Sequence, residues 1–215
     1  VDVDEDENVD EDVDLRRIVP ILTAKHSLEY CEMFASRAAS EGFDALTVLG
    51  GDPSVGPPRC VPHGRDLRER LQQRLPGLVL GGWANPHRSA SEQVVFLSAP
   101  DAHVDFALTQ VVSHHSTDRI ARFVEEANRE VPDVAMVYGV FFYRSANPGT
   151  LAALGDFFPV PAEGLRSDFA SGLTAEEICA RSIRELRAVG AEKVYVSNLG
   201  NRGAGRRLRR ILGHV

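Results

Sequence analysis

The hydrophobic and polar residues of this chain form two patterns that alternate along its length. Runs of six to ten mostly apolar residues predict strands buried on both faces of a parallel sheet. Between these runs, apolar residues recur at helical spacing. The predicted strands are residues 18–24, 45–50, 78–83, 104–113, 134–142 and 193–198, and the predicted helices are residues 28–41, 65–75, 89–97, 119–130, 148–154, 174–189 and 206–212.

Local signals support several of these boundaries. Ser27 precedes a predicted helix and has the character of an N-cap, and Gly42 follows the same helix. Thr174-Ala-Glu-Glu has the pattern of a capping box at the start of another helix. Residues 157–172 contain prolines and glycines, and they predict a loop.

Strands that alternate with helices predict repeated βα units and a parallel sheet. Six units are visible, two fewer than in a (β/α)8 barrel, and this number also suits an open doubly wound sheet. Polar residues follow or end several different strands, as in barrel enzymes, which build their sites from many strands. We therefore predict an α/β fold, and the residues alone leave a barrel wall and an open doubly wound sheet as alternatives. The strand-end residues are Thr23, Asp52, Trp83, Gln110 and Ser197.

The charge of the chain is concentrated at its N-terminus. The net charge is −7, yet residues 1–14 hold nine carboxylates and no cation, which leaves +2 for the rest. Because blocks of like charge are usually solvated, we predict an acidic disordered tail over residues 1–17 and a barrel domain over 18–215. The sequence has no long apolar run and no basic leader. This favours a cytoplasmic protein with neither membrane nor nucleic acid as a partner.

The cysteines and histidines do not predict a metal site. Three cysteines are odd in number and widely spaced, so we interpret them as reduced, partly buried apolar residues. The histidines lack an i, i+4 pair and an evident cluster of further ligands, so no metal is expected. The residues considered are Cys31, Cys60, Cys179, His87, His103, His114 and His115.

Gln110 is the most unusual residue of a predicted strand. It lies near the C-terminal end of the apolar run 104–113, where a buried amide must satisfy one acceptor and two donors. One interpretation is an amide bonded to neighbouring backbone. The other is an amide aimed at a ligand, which the position favours because ligands of parallel α/β folds collect at the carboxyl ends of strands.

Three motifs stand at the ends of predicted strands. They are Leu49-Gly50-Gly51-Asp52, Trp83-Ala84-Asn85-Pro86-His87 and Ala107-Leu108-Thr109-Gln110. In this order and spacing they resemble the methylenetetrahydrofolate reductase family. The similarity extends from about Ile18 to Leu212 and would begin at the family's third strand, so the resemblance implies that the family's first two βα units are missing from the given sequence.

The family is a flavin-containing (β/α)8 barrel, so the resemblance implies an α/β fold of the TIM (β/α)8-barrel type, with six of eight βα units visible in this chain. The resemblance implies an oxidoreductase of one-carbon metabolism that reduces 5,10-methylenetetrahydrofolate to 5-methyltetrahydrofolate with NAD(P)H through FAD. It also implies that Asp52 stabilises the cationic folate, that Gln110 binds the pterin and that Arg202 binds the folate side. The residues implied to contact the flavin are Thr23, Asp52, Trp83 and His87.

An alternative function belongs to a different class. The family's proton-donating glutamate, in a Glu-Phe-Phe-Pro-Pro motif, has no counterpart in this sequence. This favours a non-catalytic barrel remnant that binds folate or a partner protein. An open six-stranded sheet would also expose edges and apolar surface, so pairing with another chain, such as a second copy, is expected.

Overall fold

The computed structural model describes residues 14–215, whose strands form one parallel six-stranded sheet. Each strand pairs with the next one along the chain, in the order β1-β2-β3-β4-β5-β6. Doubly wound sheets reverse their strand order, whereas barrel walls do not, so this order confirms the predicted TIM-barrel type of α/β fold. The strands are β1 (Ile21–Thr23), β2 (Ala45–Leu49), β3 (Val79–Ala84), β4 (Phe106–Val112), β5 (Ala135–Phe141) and β6 (Val194–Ser197).

Eight α-helices of the described residues connect and cover these strands. They are α1 (Leu28–Glu41), α2 (Gly64–Arg74), α3 (Ala90–Ser98), α4 (Thr117–Glu130), α5 (Pro148–Gly155), α6 (Ala162–Ala170), α7 (Ala175–Ala188) and α8 (Ala204–Gly213). Short 3-10 turns cover Leu15–Arg17 and His114–Ser116. Most of the predicted tail, residues 1–17, lies outside the described residues.

Two helices begin with the caps that the sequence predicts. The Ser27 hydroxyl accepts a hydrogen bond from the backbone N–H of Tyr30 at 3.2 Å. In α7, Thr174 Oγ1 accepts from the Glu177 N–H at 3.3 Å, and the Glu177 carboxylate accepts from the Thr174 N–H at 2.8 Å. These bonds satisfy backbone donors that have no partner within the helix.

The predicted loop over residues 157–172 is wrong, because it contains α6. Both prolines precede the helix, and Pro161 is its N-cap, so neither interrupts the hydrogen bonds of the helix interior. Gly164 lies within the helix for a tertiary reason. A Cβ at this position would lie 2.4 Å from Cε1 of His115, so only glycine leaves room for that imidazole.

Six of the helices pack against one face of the sheet in two large apolar clusters, and α5 and α6 belong to a smaller third cluster. The first joins β3–β6 to α3, α4, α7 and α8, and it contains the fully buried Ile120 and Phe123. The second joins β1–β3 to α1 and α2, and it contains Leu46, Leu67 and Leu71. The core therefore fixes where each strand ends, and it places the N-terminus of α2 beside the ends of β2 and β3.

The opposite face of the sheet is partly exposed. Ile21 is 59% exposed, Val79 is 40% exposed and Trp83 is 37% exposed. These residues alternate with buried ones along their strands, as expected for a sheet covered on one face. In the part of the chain that the structure describes, β1 and β6 are the two edges. Pairing with a further chain stays a prediction.

No helix within residues 14–215 has both the length and the apolar character needed to cross a bilayer. The cytoplasmic location of the protein stays a prediction. The three cysteines are free, and Cys31 and Cys179 are buried. Burial raises the pKa of each of these two thiols to about 12, so both are poor nucleophiles at neutral pH.

Candidate functional site

Two separate cavities open beside the carboxyl ends of the strands. The larger, of about 550 Å³, lies at the ends of β2, β3 and β4 and at the start of α2, and we call it the arginine cavity. The smaller, of about 390 Å³, lies at the ends of β3, β4 and β5, and we call it the histidine cavity. The polar and aromatic residues that line the arginine cavity are Asp52, Arg59, His63, Arg65, Arg68, Trp83, Phe96 and Gln110.

Arg68 is a buried cation in the wall of the arginine cavity. The residue is only 6% exposed, and its guanidinium donates to the carbonyl oxygens of Ala102 at 2.7 Å and Val48 at 3.4 Å. Within residues 14–215 no carboxylate forms an ion pair with it. Burial lowers the pKa of Arg68 to about 10, and the nearby Arg65 adds to this effect. The group is still charged at neutral pH, and the nearby carboxylates of Asp101 and Asp66, which raise its pKa in part, form no ion pair with it.

Arg65 adds an unused hydrogen-bond donor to the same wall. Its Nε is buried, and no acceptor in the described part of the chain is bonded to it. The nearest carboxylates, of Asp66 and Asp101, lie 3.7 Å and 3.8 Å from this atom, beyond hydrogen-bond distance. Arg59 differs, because its guanidinium donates to the carbonyl oxygens of Gly51 at 3.1 Å and Pro62 at 3.0 Å. In this cavity wall, within residues 14–215, Arg68 therefore lacks an ion pair, and Arg65 lacks a hydrogen-bond acceptor for its Nε.

The N-terminus of α2 lies against the same cavity. A Cβ at Gly64 would lie 2.9 Å from the backbone nitrogen of Gly50, so glycine is needed for the helix to begin this close to the end of β2. Both glycines line the cavity. The partial positive charge of a helix N-terminus adds to that of the two arginines, and this end of the sheet therefore favours an anion.

A β-bulge in β4 sets the position of Gln110. The register of β4 against β5 shifts between Leu108 and Val111. Thr109 stabilises the bulge, since its hydroxyl accepts from the Gly139 N–H at 3.1 Å and its carbonyl accepts from the Tyr195 hydroxyl at 2.7 Å. Bulges of this kind redirect side chains beside functional sites.

Three of the residues predicted from the sequence lie in the arginine cavity. Gln110 Oε1 accepts from the N–H of Val111 at 2.9 Å, and no acceptor in residues 14–215 is bonded to its amide nitrogen. Trp83 presents its exposed ring to the cavity. Asp52 lies at the rim and accepts from the Ser54 hydroxyl at 2.6 Å and the Ser54 N–H at 2.8 Å. These bonds lower the pKa of Asp52, so its carboxylate is ionised and also caps a turn.

The other predicted site residues do not line the arginine cavity. The hydroxyl of Thr23 accepts from the N–H of Lys25 at 3.4 Å, beside the end of β1. Arg202 is exposed in the loop after β6, where its carbonyl accepts from Arg207 at 2.7 Å. His87 lines the histidine cavity. The site residues predicted from the sequence therefore do not lie together in one cavity of the structure.

His87 is held neutral in the histidine cavity. Its Nε2–H donates to the carbonyl oxygen of Val111 at 2.8 Å. Burial lowers the pKa of this imidazole, and the charge of Arg119 lowers it further. The folded protein therefore resists protonation of His87 more than the unfolded chain does.

The free energy of unfolding is expected to fall as the pH falls below about 6.5, where an unfolded histidine takes up its proton. The loss extends down to the lower pKa of His87 in the folded protein, and His114 contributes in the same direction. The variant His87→Gln keeps a hydrogen-bond donor but cannot be protonated. Its free energy of unfolding should therefore decrease less than that of the wild type when the pH falls. Urea unfolding of both proteins at about pH 7.5 and about pH 5.5 measures this. Equal losses in both proteins would contradict the prediction.

Two histidines that line the histidine cavity form, together with Asp168, a cluster that the sequence did not predict. His114 Nε2 and His115 Nε2 lie 3.0 Å and 2.8 Å from the same oxygen of Asp168. Burial lowers the pKa of His114, and the adjacent His115 adds to this effect. Both histidines lie in the turn after β4, and Asp168 lies in α6, so the loop predicted for residues 157–172 concealed the contact.

The arginines were also missed by the sequence analysis, although one signal was present. Leu67 and Leu71 are fully buried on α2, and Arg68 lies between them at positions i+1 and i−3. It therefore belongs to the buried face of an amphipathic helix, where a cation is rare without a partner. No comparable signal marks Arg65, because its buried Nε depends on the tertiary structure.

No model of a protein family and no curated protein matches the chain. Solved structures do match its fold. Two are the trigonal and triclinic crystal forms of 2,3-dimethylmalate lyase, a PEP mutase/isocitrate lyase superfamily member, at 17% and 18% identity and TM-scores of 0.52 and 0.53. These alignments cover 93% and 91% of this chain but 64% and 63% of the lyase chains.

A third solved structure is the carboxyl transferase domain of pyruvate carboxylase from Rhizobium etli, with pyruvate and biocytin. It matches at 11% identity and a TM-score of 0.57, over 93% of this chain and 34% of that chain. At such identities the similarity establishes the fold alone. The chain spans less than two thirds of the length of each of these structures.

These structures correct the resemblance drawn from the sequence. The three structures described above are of a lyase of the PEP mutase/isocitrate lyase superfamily and of a carboxyl transferase domain, not of methylenetetrahydrofolate reductases. The predicted oxidoreductase function, with a folate substrate and with NAD(P)H and FAD as cofactors, is therefore wrong. The geometry agrees with this correction, because Trp83 and His87, both expected against the flavin, line different cavities.

Proposed function

We propose that this chain belongs to an enzyme that binds a small carboxylic acid in the arginine cavity and makes or breaks a carbon–carbon bond of that acid. The observation that carries the proposal is Arg68, a buried guanidinium with no ion-pair partner in residues 14–215. A buried charge without a partner is costly, and a carboxylate ligand would remove that cost.

The surroundings of Arg68 favour a carboxylate. Arg65 lines the same wall, and its buried Nε has no acceptor within residues 14–215. Two guanidinium groups with the N-terminus of α2 can hold a planar anion through several donors. The amide nitrogen of Gln110 can donate to a hydroxyl or to a second carboxylate. The ring of Trp83 offers an apolar surface to a short carbon skeleton, and a volume of about 550 Å³ suits a small molecule.

The reaction class has support from two directions. The names of the solved structures refer to a lyase of a substituted malate and to a carboxyl transferase with pyruvate, so both involve small carboxylic acids. Breaking a carbon–carbon bond beside a carboxylate or carbonyl group leaves negative charge on the enolate that forms. Fixed guanidinium groups in a cavity stabilise such charge. His63, which lines the same cavity, offers an imidazole as acid or base.

Binding can be followed through Trp83, the single tryptophan of the sequence, because it lines the cavity. We expect a saturable change of tryptophan fluorescence on titration with malate, 2-methylmalate, citrate or pyruvate. Succinamide, which has the size of a dicarboxylic acid but no charge, should cause no saturable change. An equal response to succinamide, or none to any acid, would contradict the carboxylate site.

Turnover is tested separately by proton NMR. Incubation with 2-methylmalate should convert it into pyruvate and acetate, and a related 2-hydroxy acid should give its own 2-oxo acid and a shorter carboxylic acid, as carbon–carbon cleavage requires. Binding without cleavage or the reverse condensation, across such a panel, would refute the reaction class and leave a carboxylate-binding domain.

A further inference from the structure

Three potential metal ligands converge at the wall of the histidine cavity, which His114 and His115 line. Nε2 of His114 and Nε2 of His115 lie 3.0 Å and 2.8 Å from Oδ2 of Asp168, and all three atoms lie within 4.8 Å of one another. We propose that these residues bind a divalent transition metal ion, with zinc as the preferred ion. Two imidazoles and one carboxylate form a donor set that suits zinc and its neighbours and not magnesium or calcium, which prefer oxygen ligands.

The separations are close to those that a metal requires. Ligand atoms about 2.0–2.1 Å from a tetrahedral zinc ion lie about 3.3 Å from one another. Relative to the Asp168 oxygen, the imidazole of His114 would therefore move away by about 0.3 Å and that of His115 by about 0.5 Å. His115, whose side chain is 23% exposed, can make this adjustment more easily than the buried His114.

Neighbouring residues orient each of the three ligands. Ser182 Oγ lies 2.8 Å from Nδ1 of His114, on the side of the ring away from Asp168. Arg181 is 3.4 Å from Oδ1 of Asp168, which leaves Oδ2 for the histidines. Gly164 provides the space in α6 that the His115 ring occupies. Such contacts with the second atom of a ligand fix its orientation in metal sites.

The Ser182 hydroxyl suits both the metal-free and the metal-bound state. Without metal, His114 Nε2–H donates to Asp168, so Nδ1 accepts from the Ser182 hydroxyl. With a metal on Nε2, the proton of the neutral ring lies on Nδ1, which then donates to the Ser182 oxygen. A hydroxyl can donate or accept, so the change of tautomer costs no hydrogen bond.

The position of the cluster allows both protection and access. The side chains of His114 and Asp168 are 4% and 8% exposed, so water competes weakly for them. His114 and His115 also line the cavity of about 390 Å³, which gives an ion a path to the site and leaves room for a water ligand. The histidine and arginine cavities share no lining residue, so this inference does not depend on the proposed carboxylate site.

The competing account is a His-Asp-His cluster held by hydrogen bonds alone. The test uses the full chain, stripped with a chelator and then dialysed against zinc, with the bound metal counted by mass spectrometry. About one zinc ion per chain is expected. The variants H115Q and D168N should each weaken zinc binding, measured against a competing chelator, by at least about 100-fold. The variant H26Q changes an exposed histidine outside the cluster and should bind zinc like the wild type.

Cobalt provides a second readout that does not depend on stoichiometry. Cobalt bound by two imidazoles and a carboxylate should show visible d–d absorption, which should disappear in whichever of H115Q and D168N keeps the wild-type circular dichroism spectrum. The metal site would be refuted if the wild type took up no stoichiometric zinc. It would also be refuted if both variants bound zinc as tightly as the wild type.

Discussion

Replacing Phe123 by alanine is expected to lower the free energy of unfolding by about 3–5 kcal/mol. Phe123 is 1% exposed in the larger apolar cluster, and its ring meets the edge of Tyr138 at a centroid distance of 6.3 Å. The substitution removes this aromatic contact and leaves a cavity between α4 and the sheet, because close-packed neighbours relax only in part. Urea unfolding followed by circular dichroism measures the change.

Phe157 provides the matched control for this prediction. It is 77% exposed in the segment before α6, so Phe157→Ala should change the free energy of unfolding by no more than about 0.5 kcal/mol. A loss below about 1 kcal/mol at Phe123, or equal losses at both positions, would show that the core is not centred where the structure places it.

Replacing Arg68 by methionine is expected to weaken carboxylate binding by at least about 100-fold. The variant removes the charge that the ligand would neutralise, and a desolvated ion pair between protein and ligand is worth about 2–5 kcal/mol on truncation. Methionine retains an unbranched apolar side chain of similar length, so the packing beside Leu67 and Leu71 should survive. Isothermal titration calorimetry with the tightest-binding acid measures the effect.

Arg70 lies on the same helix but is exposed and does not line the cavity. The variant Arg70→Met therefore matches the chemical change and the net charge of Arg68→Met, and its affinity should stay within about twofold of the wild type. Wild-type affinity in Arg68→Met would refute the site. An equal loss in Arg70→Met would show that the acid responds only to the overall charge of the protein.

Much of the fold could be predicted from the sequence, because strands and helix starts are marked by local residue patterns. Apolar runs identified the six strands, and side chains such as Ser27 and Thr174 identified the starts of α1 and α7. The choice between a barrel wall and a doubly wound sheet depended on the strand order, which no local pattern encodes. The helix α6 was missed because Pro159 and Pro161 look like breaks in a loop, although both precede the helix.

The candidate site was harder to predict from the sequence, because it depends on contacts between segments that are distant along the chain. Gln110 and Asp52 were predicted as site residues because they are polar and lie at strand ends, and both line the arginine cavity. Each also makes a bond to a sequence neighbour, Gln110 to Val111 and Asp52 to Ser54, so such residues can recur among βα folds for local reasons. Short motifs built from them therefore pointed to a family that the structural comparisons do not support.

The proposed metal site was even harder to predict from the sequence, again because its residues are distant along the chain. His115 and Asp168 are separated by 53 positions in the sequence, and they meet only because α6 packs against the turn after β4. The two adjacent histidines lacked the i, i+4 spacing of a helical metal site, which is the pattern that sequence analysis can detect.

The most direct test of the central claim is an experimental structure of the chain with its tightest-binding carboxylic acid. We predict a carboxylate of the ligand within hydrogen-bond distance of the Arg68 guanidinium and of Arg65 Nε, with its carbon skeleton against Trp83. An acid found only elsewhere, for example in the histidine cavity, with both arginines unchanged, would contradict the proposed site.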